Sequence, residues 1–225
     1  QHLGDETALF ARGFVAQMQS RGWISEYSRA WIVDLFRRTM RSGSTRTDPK
    51  GLIAMSTPAL DRIAVTDSPI LDVLANRWSP RGFDVTHDIT EAEVDALLEA
   101  ARWTPSAMNL QPWRFAVAHR GTERFDVIAD ALAGFNRSWA PAASVLLVAF
   151  AVSEQEGRKL RWAEYDLGQA VAHLTLQAES MGLSVLQMGG FDAATISAGL
   201  GVDPALVPVT VSAIGRHGLA ADDEI

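Results

Sequence analysis

Ser144-Val-Leu-Leu-Val-Ala-Phe-Ala-Val152 constrains this chain more than any other segment, because eight consecutive apolar residues follow its single serine. A run with no polar alternation reads as a strand buried on both faces, so it requires helices above and below it. The longer apolar stretch 140–152 is too short to cross a bilayer and contains Pro141. A central strand is therefore expected here, in a chain that stays out of the membrane.

The neighbouring segments supply what such a strand needs. Asp67 to Ala75 begins with a capping residue and reads as a short helix. Thr90 followed by Glu93 is a capping-box pattern, and Leu97, Leu98 and Ala101 form the apolar stripe of the helix it opens. Trp113 to Ala118 reads as a strand and residues 123–133 as a helix. Residues 160–182 read as one long helix with Leu167, Ala170, Val171, Leu174, Ala178 and Met181 on its apolar face, ended by Gly182. Strands at 184–188 and 208–214 flank a small helix at 193–199. The expected class is α+β: an α/β sandwich with a central mixed, mostly antiparallel sheet flanked by helices, and a helical appendage at the N-terminus. No strand–GxGxxG–helix unit supports a Rossmann domain.

Composition closes off several functions. The chain has no cysteine, which excludes disulfides, thiolate metal sites and thiol nucleophiles and suits a reducing cytoplasm. A net charge of −7 argues against a general nucleic-acid binder. The charge is uneven: residues 1–54 carry eight Lys/Arg against five Asp/Glu, and residues 55–225 carry twelve against twenty-two. We expect 1–54 to be a helical extension of uncertain origin, a hairpin of helices at 5–20 and 25–41 whose Arg37, Arg38 and Arg41 form a solvated face or a docking face. Residues 55–225 are the main domain. The start at Gln1 and the start-like Met55-Ser-Thr-Pro read as a fragment or a processed product.

Three segments of the main domain carry candidate chemistry. Arg77-Trp78-Ser79-Pro80-Arg81 can converge two guanidiniums and a hydroxyl on one anion, although alone it reads equally well as paired surface arginines. Trp103-Thr-Pro-Ser-Ala-Met-Asn-Leu-Gln-Pro-Trp113 is a stiff loop between a helix and a strand, where Asn109 and Gln111 offer donors and acceptors to a planar heteroaromatic ring. Gln187-Met-Gly-Gly-Phe-Asp192 lets backbone approach a ligand at Gly189 and Gly190; alone it is a tight turn.

In order and spacing these segments resemble the FMN-dependent nitroreductase family from about Ile70 to about Gly218. Pro-Ser-Ala-x-Asn-x-Gln-Pro-Trp is the most specific part. Arg-x-Ser-x-Arg, the long helix beginning near Tyr165-Asp-Leu-Gly-Gln-Ala170, and Ile214-Gly-Arg216 support it. The resemblance implies that Arg77, Ser79 and Arg81 hold the phosphate, ribityl chain and pyrimidine edge of FMN. It implies that Pro105, Ser106, Ala107 and Asn109 touch a flavin bound mainly by a partner subunit, and that Asn136 contacts the flavin or its substrate pocket. Gly189 and Gly190 would present N–H groups near flavin N5. Trp78, Gln111, Met188 and Arg216 complete the candidate set, Trp78 as a stacking or a packing residue.

The implied activity is a ping-pong transfer of hydride from NADH or NADPH through flavin N5 to nitroaromatics, quinones or activated alkenes. The implied assembly is a homodimer with FMN at its interface. The alternative is a non-catalytic or degenerate flavin-binding protein. Relatives usually continue into a basic tail, whereas this chain closes on Ala220-Ala-Asp-Asp-Glu-Ile225, so weaker FMN retention is expected.

Other signals carry less. The histidines lack metal-ligand spacing, and no metal is expected. His173 reads as a core or interface histidine. Glu154, Glu156, Glu164 and Asp166 read as the exposed acidic start of the long helix. The seven tryptophans read mostly as core, with Trp78, Trp113 and Trp139 near the site.

Overall fold

The structure, a computed structural model, describes residues 62–218. The expected N-terminal hairpin and basic face, the expected boundary after residue 54 and the C-terminal tail fall outside the described residues.

Helix α1 (Asp72–Asn76) is followed by α2 (Glu91–Arg102), β1 (Trp113–His119), α3 (Glu123–Ala131), the short α4 (Asn136–Trp139) and β2 (Val145–Val152). A two-stranded hairpin, β3 (Glu154–Gln155) and β4 (Arg158–Lys159), leads into α5 (Ala163–Ser180), then β5 (Ser184–Met188), α6 (Ala193–Leu200) and β6 (Leu206–Gly215). The main sheet has strand order β1-β2-β6-β5, and every neighbouring pair among the described residues is antiparallel.

The apolar run is β2, central in this sheet and buried on both faces as expected. Because side chains alternate along a strand, Val145, Leu147, Ala149 and Ala151 join one core with Leu97 and Ala101 of α2 and Leu167, Val171 and Leu174 of α5. Leu146, Val148 and Phe150 join the opposite core with Phe125 and Ile128 of α3 and Ile196 of α6. A helix layer on each face is thus dictated by one strand. In β6 the register slips between Ala149 and Phe150, which pair with Thr210 and Pro208 and leave Val209 as an extra residue. Pro208 lies beyond the last β5 rung, at Val211, so its missing N–H removes no bond to β5.

Local chemistry sets the helix ends. Thr90 Oγ1 accepts from Glu93 N at 3.3 Å, and the Glu93 carboxylate accepts from Thr90 N at 2.8 Å, a complete capping box. Gly182 adopts φ 71°, and Leu183 N donates to Ala178 O at 2.9 Å, which closes α5.

Several expectations are corrected. Helix α1 starts at Asp72 with Leu71 as cap, not at Asp67: residues 67–71 are exposed and have no apolar surface to hold them as a turn. Glu154 and Glu156 belong to the hairpin, not to the start of α5. Among the described tryptophans Trp113 and Trp139 are core, but Trp103 is 72% exposed, with its indole Nε1 donating to Glu99 one helical turn back at 2.8 Å, and Trp162 is also exposed.

Candidate functional site

The loop after α2 is held in an unusual shape. Met108, Asn109 and Gln111 take φ of 52°, 54° and 48°, three non-glycine residues in the left-handed region within four positions. Asn tolerates this conformation, whereas Met and Gln lose backbone free energy in it, so the surroundings must compensate. Much of that support is visible. Ala107 N donates to the Asp166 carboxylate at 3.0 Å, Gln111 N donates to Ser106 Oγ at 3.0 Å, and Gln111 Nε2 donates to Asn109 Oδ1 at 3.2 Å. Buried Thr104 places its Oγ1 2.9 Å from His173 Nδ1.

Two expectations change with this geometry. Asp166 is not an exposed dipole acid; it is 3% exposed, and its carboxyl oxygen accepts the loop N–H of Ala107. His173 is exposed on α5, which removes the core reading and leaves the interface one; its Nδ1 meets Thr104 Oγ1. The loop anchors were not recognisable as site residues. One signal was present: an aspartate inside the apolar spacing Ala163, Leu167, Ala170.

A second group gathers around the far segments. Arg77 Nη1 donates to Ser79 Oγ at 3.4 Å. Trp78 meets His217 edge-on at 5.0 Å, and the Arg62 guanidinium lies 3.9 Å from the Trp78 ring centroid, so this ring is held by packing and cation–π contact. The bridge between Phe83 and His217, with Asp84 N donating to Arg216 O at 2.9 Å, ties the arginine segment to the end of β6. Arg216 thereby lies opposite Asp84, three residues beyond Arg81. The Arg81 guanidinium also lies 5.7 Å from the Phe135 ring, next to Asn136.

Asn136 in turn donates from Nδ2 to Gly190 O at 3.2 Å, and Ala133 N donates to the same carbonyl at 2.9 Å. A Cβ on Gly190 would lie 3.0 Å from Asn136 Nδ2, whereas one on Gly189 would meet nothing within 4 Å. Gly189 therefore faces open space beside a pinned Gly190. The Met188 side chain is buried, which leaves only its backbone for a ligand. Asp192 caps α6 just beyond, its carboxyl held below the usual range by N–H donation from Thr195 and Ala194.

The chain does not bring these two groups together. Arg77 is near Glu179, whose carboxyl is pushed up by burial and drawn down by that guanidinium. The loop instead attaches at Asp166. Asp166 and Glu179 are thirteen residue steps apart along α5, about 20 Å at the α-helical rise. Two clefts border the loop, one of about 370 Å³ against Tyr165 and Gln169 and one of about 480 Å³ against the β3–β4 hairpin. None of Arg77, Ser79, Arg81, Asn136, Gly189 or Gly190 lines either. Among the described residues no three His, Asp or Glu side chains form a metal cluster, and no helix is long and apolar enough to cross a membrane.

Comparison with known proteins follows the same segments. The family model described as Nitroreductase family matches residues 74–159 and 133–216. An uncharacterized 15.4 kDa protein of Mycolicibacterium smegmatis is 37% identical over 122 residues, 50% of this chain and 82% of that protein. The major NAD(P)H-flavin oxidoreductase of Aliivibrio fischeri is 37% identical over 49 residues, 22% of each chain. Among solved structures, an oxidoreductase containing FMN superposes with a TM-score of 0.65 at 31% identity, covering 68% of this chain and 80% of its own. A protein from Desulfovibrio desulfuricans solved in complex with FMN gives 0.60 at 27% identity, covering 68% and 88%.

Proposed function

This chain belongs to the nitroreductase family, and from that premise we propose that it is an FMN-dependent oxidoreductase that accepts electrons from NADH or NADPH and delivers them to nitroaromatics, quinones or activated alkenes. The observation that carries the reading is the strained, anchored loop 105–111, a rigid element whose unusual backbone has no role in closing either core.

The residues fit the cofactor. Arg77, Ser79 and Arg81, with Arg216 opposite Asp84, offer guanidiniums and a hydroxyl to a phosphate and its ribityl chain. Gly189 offers exposed backbone with open space in front of it, and Asn136 fixes the neighbouring Gly190 carbonyl so that this backbone keeps its direction. Pro105, Ser106, Ala107, Asn109 and Gln111 form the stiff edge for a planar ring. When bound, FMN supplies at N5 the atom that takes and returns a hydride, so the protein itself needs no nucleophile.

The separation along α5 supports a dimeric assembly. One ring does not reach both ends of a 20 Å stretch of helix, roughly four turns. Two chains related by a two-fold axis, with their α5 helices antiparallel, bring the loop of one to the arginines of the other. The outward side of α5, with exposed Tyr165, Gly168 and Ala172, offers small and aromatic surface for that contact. The proposed enzyme is a homodimer, and its cysteine-free sequence suits the reducing cytoplasm in which we place it.

NAD(P)H oxidation by the FMN-loaded protein in the presence of a quinone tests the activity. Parallel double-reciprocal lines are expected for a ping-pong cycle. Tight FMN binding with no donor oxidation toward quinone, nitroaromatic or activated alkene would favour the non-catalytic reading.

A further inference from the structure

The β3–β4 hairpin brings three cations to the cleft beside the loop. Arg158, Lys159 and Arg161 all line the 480 Å³ cavity that Ala107 shares with them. The described residues 62–218 carry twelve Lys/Arg against eighteen Asp/Glu, so a quarter of the cations of an acidic domain fall within four positions. Among the described residues none of the three has an ion-pair partner; even Glu154, opposite Lys159 in the hairpin register, makes no ion pair with it. Arg161 rests 4.8 Å from the Trp162 ring centroid, which holds the guanidinium without neutralising it.

The rest of the lining defines the ligand further. Met108, Leu110 and Pro112 give the cleft an apolar wall, and Met108 is 74% exposed. The three cations outnumber the two acids that line the same cleft. Asp166 is buried and bonded to Ala107 N, and Glu156 sits exposed in the hairpin turn at φ 51°. A cleft with one apolar wall and one cationic wall suits a ligand that joins an apolar planar group to a phosphate.

We propose that Arg158, Lys159 and Arg161 bind a phosphate of the nicotinamide donor, with its adenine against the apolar wall. The inference rests on the oxidoreductase reading, because the cleft borders the loop assigned to the flavin and so lies where a donor reaching that flavin would extend. Two phosphates of such a donor have the required chemistry: the 2′-phosphate that distinguishes NADPH, and the pyrophosphate common to both donors.

The test is calorimetric titration of the full-length protein at low salt with adenosine 2′,5′-bisphosphate, ADP and adenosine. At least tenfold tighter binding of the bisphosphate than of ADP and adenosine assigns the 2′-phosphate and predicts NADPH preference. ADP binding as tightly as the bisphosphate, with both well above adenosine, assigns the pyrophosphate. In either case the triple variant Arg158→Gln, Lys159→Gln, Arg161→Gln should lose at least tenfold in affinity, and KM for the donor should rise while KM for the acceptor holds. If the triple variant fails to fold, Lys159→Gln alone and the fall of wild-type affinity with salt serve instead. Phosphate-bearing probes that bind no better than adenosine, or that bind the variant as tightly as the wild type, overturn the proposal. A flavin titration on the same protein separates the two readings: FMN binding without phosphate-probe binding overturns only this inference, whereas no FMN binding overturns the donor assignment with it.

Discussion

The Asp166 carboxylate accepts the Ala107 N–H at 3.0 Å across 59 residues of sequence, and this bond joins the long helix to the strained loop. A buried carboxylate with a committed donor is stable where it sits; without it the loop N–H loses its partner. Asp166→Ala should therefore destabilise the domain by about 1–3 kcal/mol, with Asp166→Asn costing less because it keeps an acceptor oxygen. Denaturant unfolding gives the ranking. Equal stability of Asp166→Ala and the wild type would show that the bond does not hold the loop.

Asn136 and Gly190 make a second long-range pair. Gly190→Ala places a Cβ 3.0 Å from Asn136 Nδ2, so the amide must move and its bond to Gly190 O is lost. Asn136→Ala removes the same bond without the clash, at about 0.5–1.5 kcal/mol. Both variants should bind FMN several-fold more weakly than their modest loss of stability would account for. Unchanged FMN affinity in both would remove this pair from the site.

Thr90 and Glu93 give a pH signature. The backbone bond from Thr90 and then the side-chain bond hold the Glu93 carboxyl below its usual 4.5. A depressed carboxyl contributes stability that is present above the unfolded value and lost as pH falls through the folded one. The advantage of wild type over Glu93→Gln should be constant above pH 4.5 and shrink below it. Thr90→Ala should cost about 1 kcal/mol at neutral pH. A wild-type advantage that grows on acidification would reverse the assigned sign.

A shared site predicts complementation. Arg81→Ala and Asn109→Ala should each abolish tight FMN binding as homodimers. Refolding the two variants together should restore one good site in every mixed dimer, because one interface then receives both intact residues. Recovery of no flavin would mean that each chain builds its site alone.

What the sequence made legible is what is local. The capping box needs only Thr90 and Glu93, and β2 announces itself because both of its faces are apolar. The candidate site motifs were also local, each a short run of unusual residues. Contacts that arise from distant segments left little trace. The pairing of Thr104 with His173 spans 69 residues, and that of Asn136 with Gly190 spans 54. The tryptophans read mostly as core, but Glu99 captures the Trp103 indole at the surface. The hairpin at 154–159 was hidden because two-residue strands are too short to show alternation, and its turn rests on Glu156 and Gly157 at positive φ.

The most direct measurement of the central claim is the visible spectrum of the purified full-length protein during titration with FMN, with Arg81→Ala as the control. The expected result is a perturbed oxidised-flavin spectrum that saturates at one FMN per chain, with binding weakened at least tenfold in Arg81→Ala. A folded protein that leaves the spectrum of free FMN unchanged throughout the titration would contradict it.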